Sequence, residues 1–247
     1  MLITTNAIII RERPVGENDK YIEILSDTLG IIEVSAKGAR KITGSNTAGT
    51  QLYTYSKLCI NKTQRGYYLN SSQVINTFYN IRFDIKKLSL VAYLSDLLRY
   101  TTPPEEPANI ILRLFLNTLH YLNGDERDIE QLKVIFELRL ACEIGLMPQL
   151  IGCKECYLSS SDKMYFNLYE GNLICENCLT GDELAKSLPL DKTMLHIIRY
   201  ICLSDFNKIF NFKITEKYQK KVSLVSEKYL KIQLSRYFKS LEFYENI

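Results

Sequence analysis

Gly30-Ile-Ile-Glu-Val-Ser-Ala36 runs straight into Lys37-Gly-Ala-Arg-Lys-Ile-Thr-Gly-Ser-Asn-Thr-Ala-Gly49. The first segment is short and β-branched and opens after a turn at Asp27-Thr-Leu-Gly30, which predicts a strand. The second is polar and glycine-rich, with three basic residues (Lys37, Arg40, Lys41) within five positions. Such a loop can follow a phosphate backbone, and Gly38 lets backbone N–H groups approach an anion. Gly44-x-x-x-x-Gly49 is not a nucleotide-binding loop, because Thr50-Gln51 follows where Lys and then Ser/Thr would be needed.

Working outward, Thr5–Arg11 and Tyr21–Leu25 read as strands on the N-terminal side. On the other side Gln51–Lys62 alternates through Leu52, Thr54, Ser56, Leu58 and Ile60. Tyr67–Tyr79 closes the set after a turn at Gln64-Arg65-Gly66. Five short strands in this length predict an OB-type barrel, a fold that often binds oligonucleotides; an SH3-like barrel would give the same pattern.

From Asp84 the period becomes helical. Ile85, Leu88, Val91, Leu94 and Leu98 mark one face, and Thr101-Thr-Pro-Pro-Glu-Glu-Pro107 ends the helix. Further helices are expected at Ala108–Leu122, Ile129–Ile144 and Lys192–Leu203, with a long final one over 216–240. In the third, Leu132, Ile135, Phe136, Leu138 and Cys142 should lie on one side. The fold class is therefore α+β and multi-domain. A five-stranded OB-fold barrel covers 1–80, and an all-helical domain covers 81–247 with a four-cysteine zinc element inserted at about 149–182.

That element rests on Cys153-Lys-Glu-Cys156 and Cys175-Glu-Asn-Cys178, two pairs separated by 18 residues. Each pair can present two thiolates from one turn, and Zn²⁺ favours four such ligands in a tetrahedron. Two disulfides, or four unrelated cysteines, are the bland alternatives. Four thiolates leave no open position, so the metal should be structural, supplying on the order of 10–16 kcal/mol of folding free energy. Cys59, Cys142 and Cys202 sit in apolar patterns and read as buried free thiols.

The 247 residues are 46% hydrophobic and 24% charged, as a soluble globular chain is. There is no apolar run long enough for a transmembrane helix, and the N-terminus lacks a basic segment and a cleavage site, so no signal peptide is expected. Seven cysteines with two zinc-type pairs fit a reducing cytoplasm. Lys and Arg exceed Asp and Glu by nine to six in residues 1–80 and by nine to five in 205–247, and fall short by 13 to 17 between. Basic ends point to a polyanionic partner, or simply to solvated lysines.

Several stretches, in order, resemble the RecO family of bacterial recombination mediators. They are Glu17-x-Asp19, Gly30, and Lys37-Gly38-Ala39-Arg40-Lys41 with Ser45 and Gly49. Phe136-Glu-Leu-Arg-Leu140 and Gly145-Leu-Met-Pro148 then lead into Cys153-x-x-Cys156. Phe166, Glu170-Gly171, Cys175-x-x-Cys178 and Arg236-Tyr-Phe-Lys239-Ser240 complete the match, which covers nearly the whole chain. Tyr157 departs from the glycine many members have after the second cysteine, and some members lack the zinc cysteines. The resemblance implies an OB-fold DNA-binding domain, binding of single- and double-stranded DNA, and annealing of complementary strands. It also implies partnership with RecR and with the tail of single-strand-binding protein, so that RecA can load, in the bacterial cytoplasm at the nucleoid.

Lys37, Arg40 and Lys41 are thus the leading phosphate contacts. Arg65 at a hairpin tip, and Arg11 and Arg13 beside the first turn, come next. Tyr53 and Tyr55 on one face, with Tyr67 and Tyr68 on opposite faces, could stack on bases or simply pack in the sheet. Lys213, Lys217, Lys220 and Lys221 could extend a DNA track, receive an acidic tail or remain solvated. His120 and His196 lie in apolar helical context and read as packed. No catalytic residue is assigned. The competing readings are a zinc-ribbon scaffold that binds only proteins, and a zinc-dependent nucleic-acid hydrolase or deaminase. The enzyme reading lacks both an open metal position and the His-x-Glu motif of the deaminases.

Overall fold

Five strands form, β1 (Leu2–Val15), β2 (Asp19–Ser26), β3 (Gly30–Ala36), β4 (Tyr55–Thr63) and β5 (Gly66–Asn76), and alternation of apolar with polar side chains is clearest in β3 and β4. In β3, Ile32, Val34 and Ala36 point inward while Glu33 faces solvent. In β4 the inward set is Ser56, Leu58 and Ile60. The apolar members of both sets meet Ile9, Ile22 and Ile24 in one core. The strands close into a barrel in the order β1-β2-β3-β5-β4. The one parallel pairing is β3 with β5, and β4 returns antiparallel to β1. This is the OB order, and closure leaves no open sheet edge.

The computed structural model describes residues 1–247. Its helices are α1 (Ile85–Thr101), α2 (Asn109–Asn123), α3 (Ile129–Glu143), α4 (Gly181–Lys186), α5 (Lys192–Leu203), α6 (Glu216–Gln233) and α7 (Lys239–Glu245). Two compact units result, Met1–Gly124 with Phe238–Ile247, and Asp125–Tyr237.

In the first unit Asp84 caps α1, its carboxylate accepting from the Lys86 and Lys87 amides at 2.8 and 3.1 Å. The chain end returns to α1. The Ser240 hydroxyl donates to Asp96 at 2.7 Å, and Phe238 meets Tyr93 and Tyr100 edge-on, with ring centroids 6.1 and 6.0 Å apart. The single helix expected over 216–240 is therefore two. Ser235 takes a left-handed backbone (φ +48°), which ends α6, and buried Phe238 turns the chain toward α1.

In the second unit every residue of α3 from Gln131 to Leu138 is buried. The expected one-sided apolar stripe does not hold, because α3 packs against both α5 and α6. Its polar side chains are paired inside. Lys133 Nζ reaches Glu137 at 3.1 Å, Ser223 Oγ at 3.1 Å and Glu227 at 3.3 Å. Burial works against the Lys133 charge, but Glu137 and Glu227 outweigh it and raise the pKa. A four-stranded sheet ordered β6-β8-β7-β9 completes the unit: β6 (Gln149–Cys153), β7 (Met164–Asn167), β8 (Asn172–Cys175) and β9 (Ser187–Leu190).

Other expectations change. His120 and His196 are exposed rather than packed. Cys202 is buried, but Cys59 and Cys142 are only half-buried. Tyr53 lies before β4 in a left-handed conformation (φ +59°), so it does not share a strand face with Tyr55. Its ring is buried and bonded to Ser95, and burial pushes the phenol up to about 12, which removes it as a stacking platform.

Candidate metal centre and basic barrel loop

β6 ends at Cys153 and β8 at Cys175; their parallel pairing sets Cys153 opposite Leu173, and the Cys175 amide donates to the Cys153 Sγ at 3.3 Å, which brings the ends of the two strands together. Each strand then turns sharply. After Cys153 the Tyr157 amide donates to the Cys153 carbonyl at 2.9 Å, and the Cys153 amide to the Leu158 carbonyl at 2.9 Å. After Cys175 a 3-10 turn over Glu176–Cys178 brings Cys178 round. The first turn is tight enough to exclude a side chain at Gly152, where a Cβ would lie 2.8 Å from the Tyr157 carbonyl oxygen.

The four Sγ atoms of Cys153, Cys156, Cys175 and Cys178 lie within 4.8 Å of one another. Cys156 and Cys175 approach to 3.6 Å, far beyond the ~2.05 Å of a disulfide and close to the ~3.8 Å edge of a tetrahedron with ~2.3 Å metal–sulfur bonds. The cluster could hold a metal ion. Its protonation also fits a cation site. Burial raises the Cys153 thiol, yet backbone N–H groups from residues 156, 175 and 155 bring it down to about 6. Cys178, with Cys175 and Cys156 as hydrogen-bonding neighbours, is pushed up to about 12. Neighbouring thiolates repel one another, and a cation between them would favour the charged form of each. Beside the cluster, Lys154 is held by Glu170 at 3.0 Å and Glu183 at 2.5 Å.

The basic loop leaves β3 at Ala36 and is fixed at both ends by neighbouring residues of β2. Asp19 accepts from the Gly38 amide at 2.7 Å. Lys20, itself buried, donates to the Thr50 carbonyl at 2.8 Å and to Glu12 at 2.7 Å. Gly38 is left-handed (φ +66°), a conformation glycine adopts without cost. Ala39 plugs the barrel core at 1% exposure, between the exposed side chains of Lys37 on one side and of Arg40 and Lys41 on the other. The Arg40 guanidinium donates to the Gly16 carbonyl at 2.7 Å, while no carboxylate pairs with Lys37 or Lys41. The loop thus presents three cations from a rooted support.

The remaining sequence-derived candidates differ in their surroundings. Arg65 is exposed at the β4–β5 hairpin tip. Arg11 pairs with Glu23 at 3.3 Å, and Arg13 with Glu33 at 3.5 Å while covering the Tyr21 ring. Their charge is locally balanced. Tyr67 donates to Glu105 at 2.5 Å and carries Lys62 over its ring, so that ring is engaged too. Lys213, Lys217, Lys220 and Lys221 are exposed, with Lys217 and Lys221 each 5.5 Å from the Tyr218 ring. Sequence reasoning missed Asp19 and Lys20 as the loop's anchors. In the sequence Asp19 stands out only within the Glu17-x-Asp19 stretch, at the head of the second strand, with nothing to mark the Gly38 amide as its partner.

Two family models cover the chain. The one described as Recombination protein O N terminal matches residues 1–78, and Recombination protein O C terminal matches residues 82–242. A DNA repair protein RecO from Acetivibrio thermocellus is 33% identical over 245 residues, covering 99% of this chain and 97% of that protein. One from Alkaliphilus metalliredigens is 32% identical over 248 residues, covering 100% of both. A third, from a Thermoanaerobacter species, is 28% identical over 249 residues, covering 100% of this chain and 98% of its own length.

Proposed function

The chain belongs to the RecO family of DNA repair proteins, and from that premise we propose that it is a recombination mediator that binds DNA through the barrel loop and anneals complementary strands. The observation that carries this reading is the rooted loop with Lys37, Arg40 and Lys41 outward. Cations on a fixed support neutralise phosphates of two strands, and the released counterions drive binding. Gripping backbone leaves base edges free to pair. Arg65 is an outlying contact, and Arg11 and Arg13 contribute less because each already faces a carboxylate.

The metal is one structural Zn²⁺ held by Cys153, Cys156, Cys175 and Cys178. A closed set of four thiolates supplies rigidity rather than a reaction centre. Function is binding, not bond making. RecR and the acidic tail of single-strand-binding protein are the protein partners, RecA is loaded as the outcome, and the setting is the bacterial cytoplasm at the nucleoid. No helix is long and apolar enough to cross a membrane. The exposed lysines along α6 give the acidic tail a surface of opposite charge.

The test is annealing of complementary strands pre-coated with single-strand-binding protein, with and without RecR. The chain should accelerate annealing, and a variant with Lys37, Arg40 and Lys41 all changed to alanine should not. Equal rates with and without the protein would defeat the proposal.

A further inference from the structure

Ile42 is 99% exposed, more than any other large apolar side chain in the molecule. A single isoleucine on a surface is ordinary, but the backbone beneath this one is tightly fixed. Ile42 occupies the second position of a turn closed by the Gly44 amide donating to the Lys41 carbonyl at 2.9 Å. The Thr47 hydroxyl donates to the same carbonyl at 2.6 Å, and the Thr47 amide to Gly44 at 3.1 Å. Gly44 is packed so closely that a Cβ there would lie 2.7 Å from the Gly38 carbonyl oxygen. Three residues before Ile42, Ala39 roots the loop in the barrel core. The turn leaves its apolar side chain in solvent, and exposed Arg40 and Lys41 precede it directly.

A rigid tip that combines cations with one apolar side chain matches a polyanion that also offers apolar faces. Single-stranded nucleic acid is such a ligand: its phosphates meet the cations and its unpaired bases lie one side-chain length away. We propose that Ile42 is a wedge that enters between unpaired bases of a strand whose phosphates are held by Lys37, Arg40 and Lys41. The inference rests on the nucleic-acid reading of the loop. It adds a preference, since in a duplex the same insertion must also separate a paired step. A wedge of this kind opens the stack of a single strand while leaving its pairing edges free, which favours annealing.

The experiment titrates the full-length protein with short single strands carrying 2-aminopurine, and with the corresponding duplexes, across a range of salt. Wild type should change 2-aminopurine emission on binding the single strand. Ile42→Ser should keep the salt dependence, lose the emission change, and lower the single-strand over duplex preference about tenfold. Ile42→Leu should behave as wild type, and Ile151→Ser, at an isoleucine that is 85% exposed, should too. Wild-type binding with silent 2-aminopurine, or an Ile42→Ser variant with unchanged emission and preference, overturns the wedge alone. Wild type that fails to bind oligonucleotides in a salt-dependent way overturns the loop's role as a phosphate contact, and the wedge with it. Vesicles of phosphatidylglycerol form a last arm. Binding to them that is lost in Ile42→Ser, with DNA binding unaltered, would assign the tip to a lipid surface instead.

Discussion

Tyr157 stands in the metal turn with φ +59°, where an L side chain costs roughly 1–2 kcal/mol relative to glycine. Its ring is 84% exposed, so little packing would be lost by removing it. After glycine's own entropic cost of about 0.5–1 kcal/mol, Tyr157→Gly should still favour the folded turn. The expected outcome is metal affinity about two- to fivefold tighter in chelator competition, and weaker affinity would contradict it. Lys133 is the opposite case, a residue whose removal should be severe. Lys133→Met leaves Glu137, fully buried, without its cation, and should cost about 3–5 kcal/mol in denaturant unfolding. Lys133→Met with Glu137→Leu should recover most of that loss. The four cysteines could be read from spacing alone because metal geometry dictates spacing. Lys133, Lys20 and Asp19 could not. A lysine in a helix or an aspartate at a strand head looks like ordinary surface until its partner, far away in sequence, is known.

At the scale of elements, the barrel loop owes its shape to β2. If Asp19 positions the loop through the Gly38 amide, Asp19→Ala should weaken oligonucleotide binding about threefold, one hydrogen-bonded contact's worth of free energy. The sign is diagnostic. Removing an acid makes the protein more positive, so electrostatics alone would tighten binding. The metal element makes a second prediction. Chelation should abolish amide protection over residues 149–178 and leave β1–β5 protected, as hydrogen exchange would report. Acidification should release the metal, since protons compete for the thiolates and affinity falls as pH falls. β3 and α5 were legible to the residue, and α1–α3 to within a residue or so, because long periodic segments with Asp84 or proline at their edges mark themselves. The β6–β9 sheet was not legible. Strands of four or five residues with Asn167, Asn172 and Pro189 in them carry too little alternation to stand out. The break after α6 was hidden too, because Ser235 adopts a conformation usually announced by glycine or asparagine.

For the whole molecule, the change from strand to helix near residue 80 could be read from periodicity, but the grouping into compact units could not. α7 joins α1 through Ser240 and Asp96, 144 residues apart, and α1, α2 and α7 belong to the barrel's unit. No local pattern encodes such a pairing. The distribution of charge was legible from the start: basic ends, and a middle with more acid than base. It is the loop at Lys37–Lys41 that turns this balance into a claim about function, because it places three exposed cations, none of them paired with a carboxylate, on a rooted support. The most direct measurement is the affinity for a single-stranded oligonucleotide as a function of salt, in wild type and in the variant with alanine at 37, 40 and 41. Three phosphate contacts on a single strand contribute about 2 to the slope of log affinity against log salt. The variant should therefore bind more weakly with a slope shallower by about 2, while its fold is unchanged by circular dichroism; the same affinity and slope in both proteins would contradict the account.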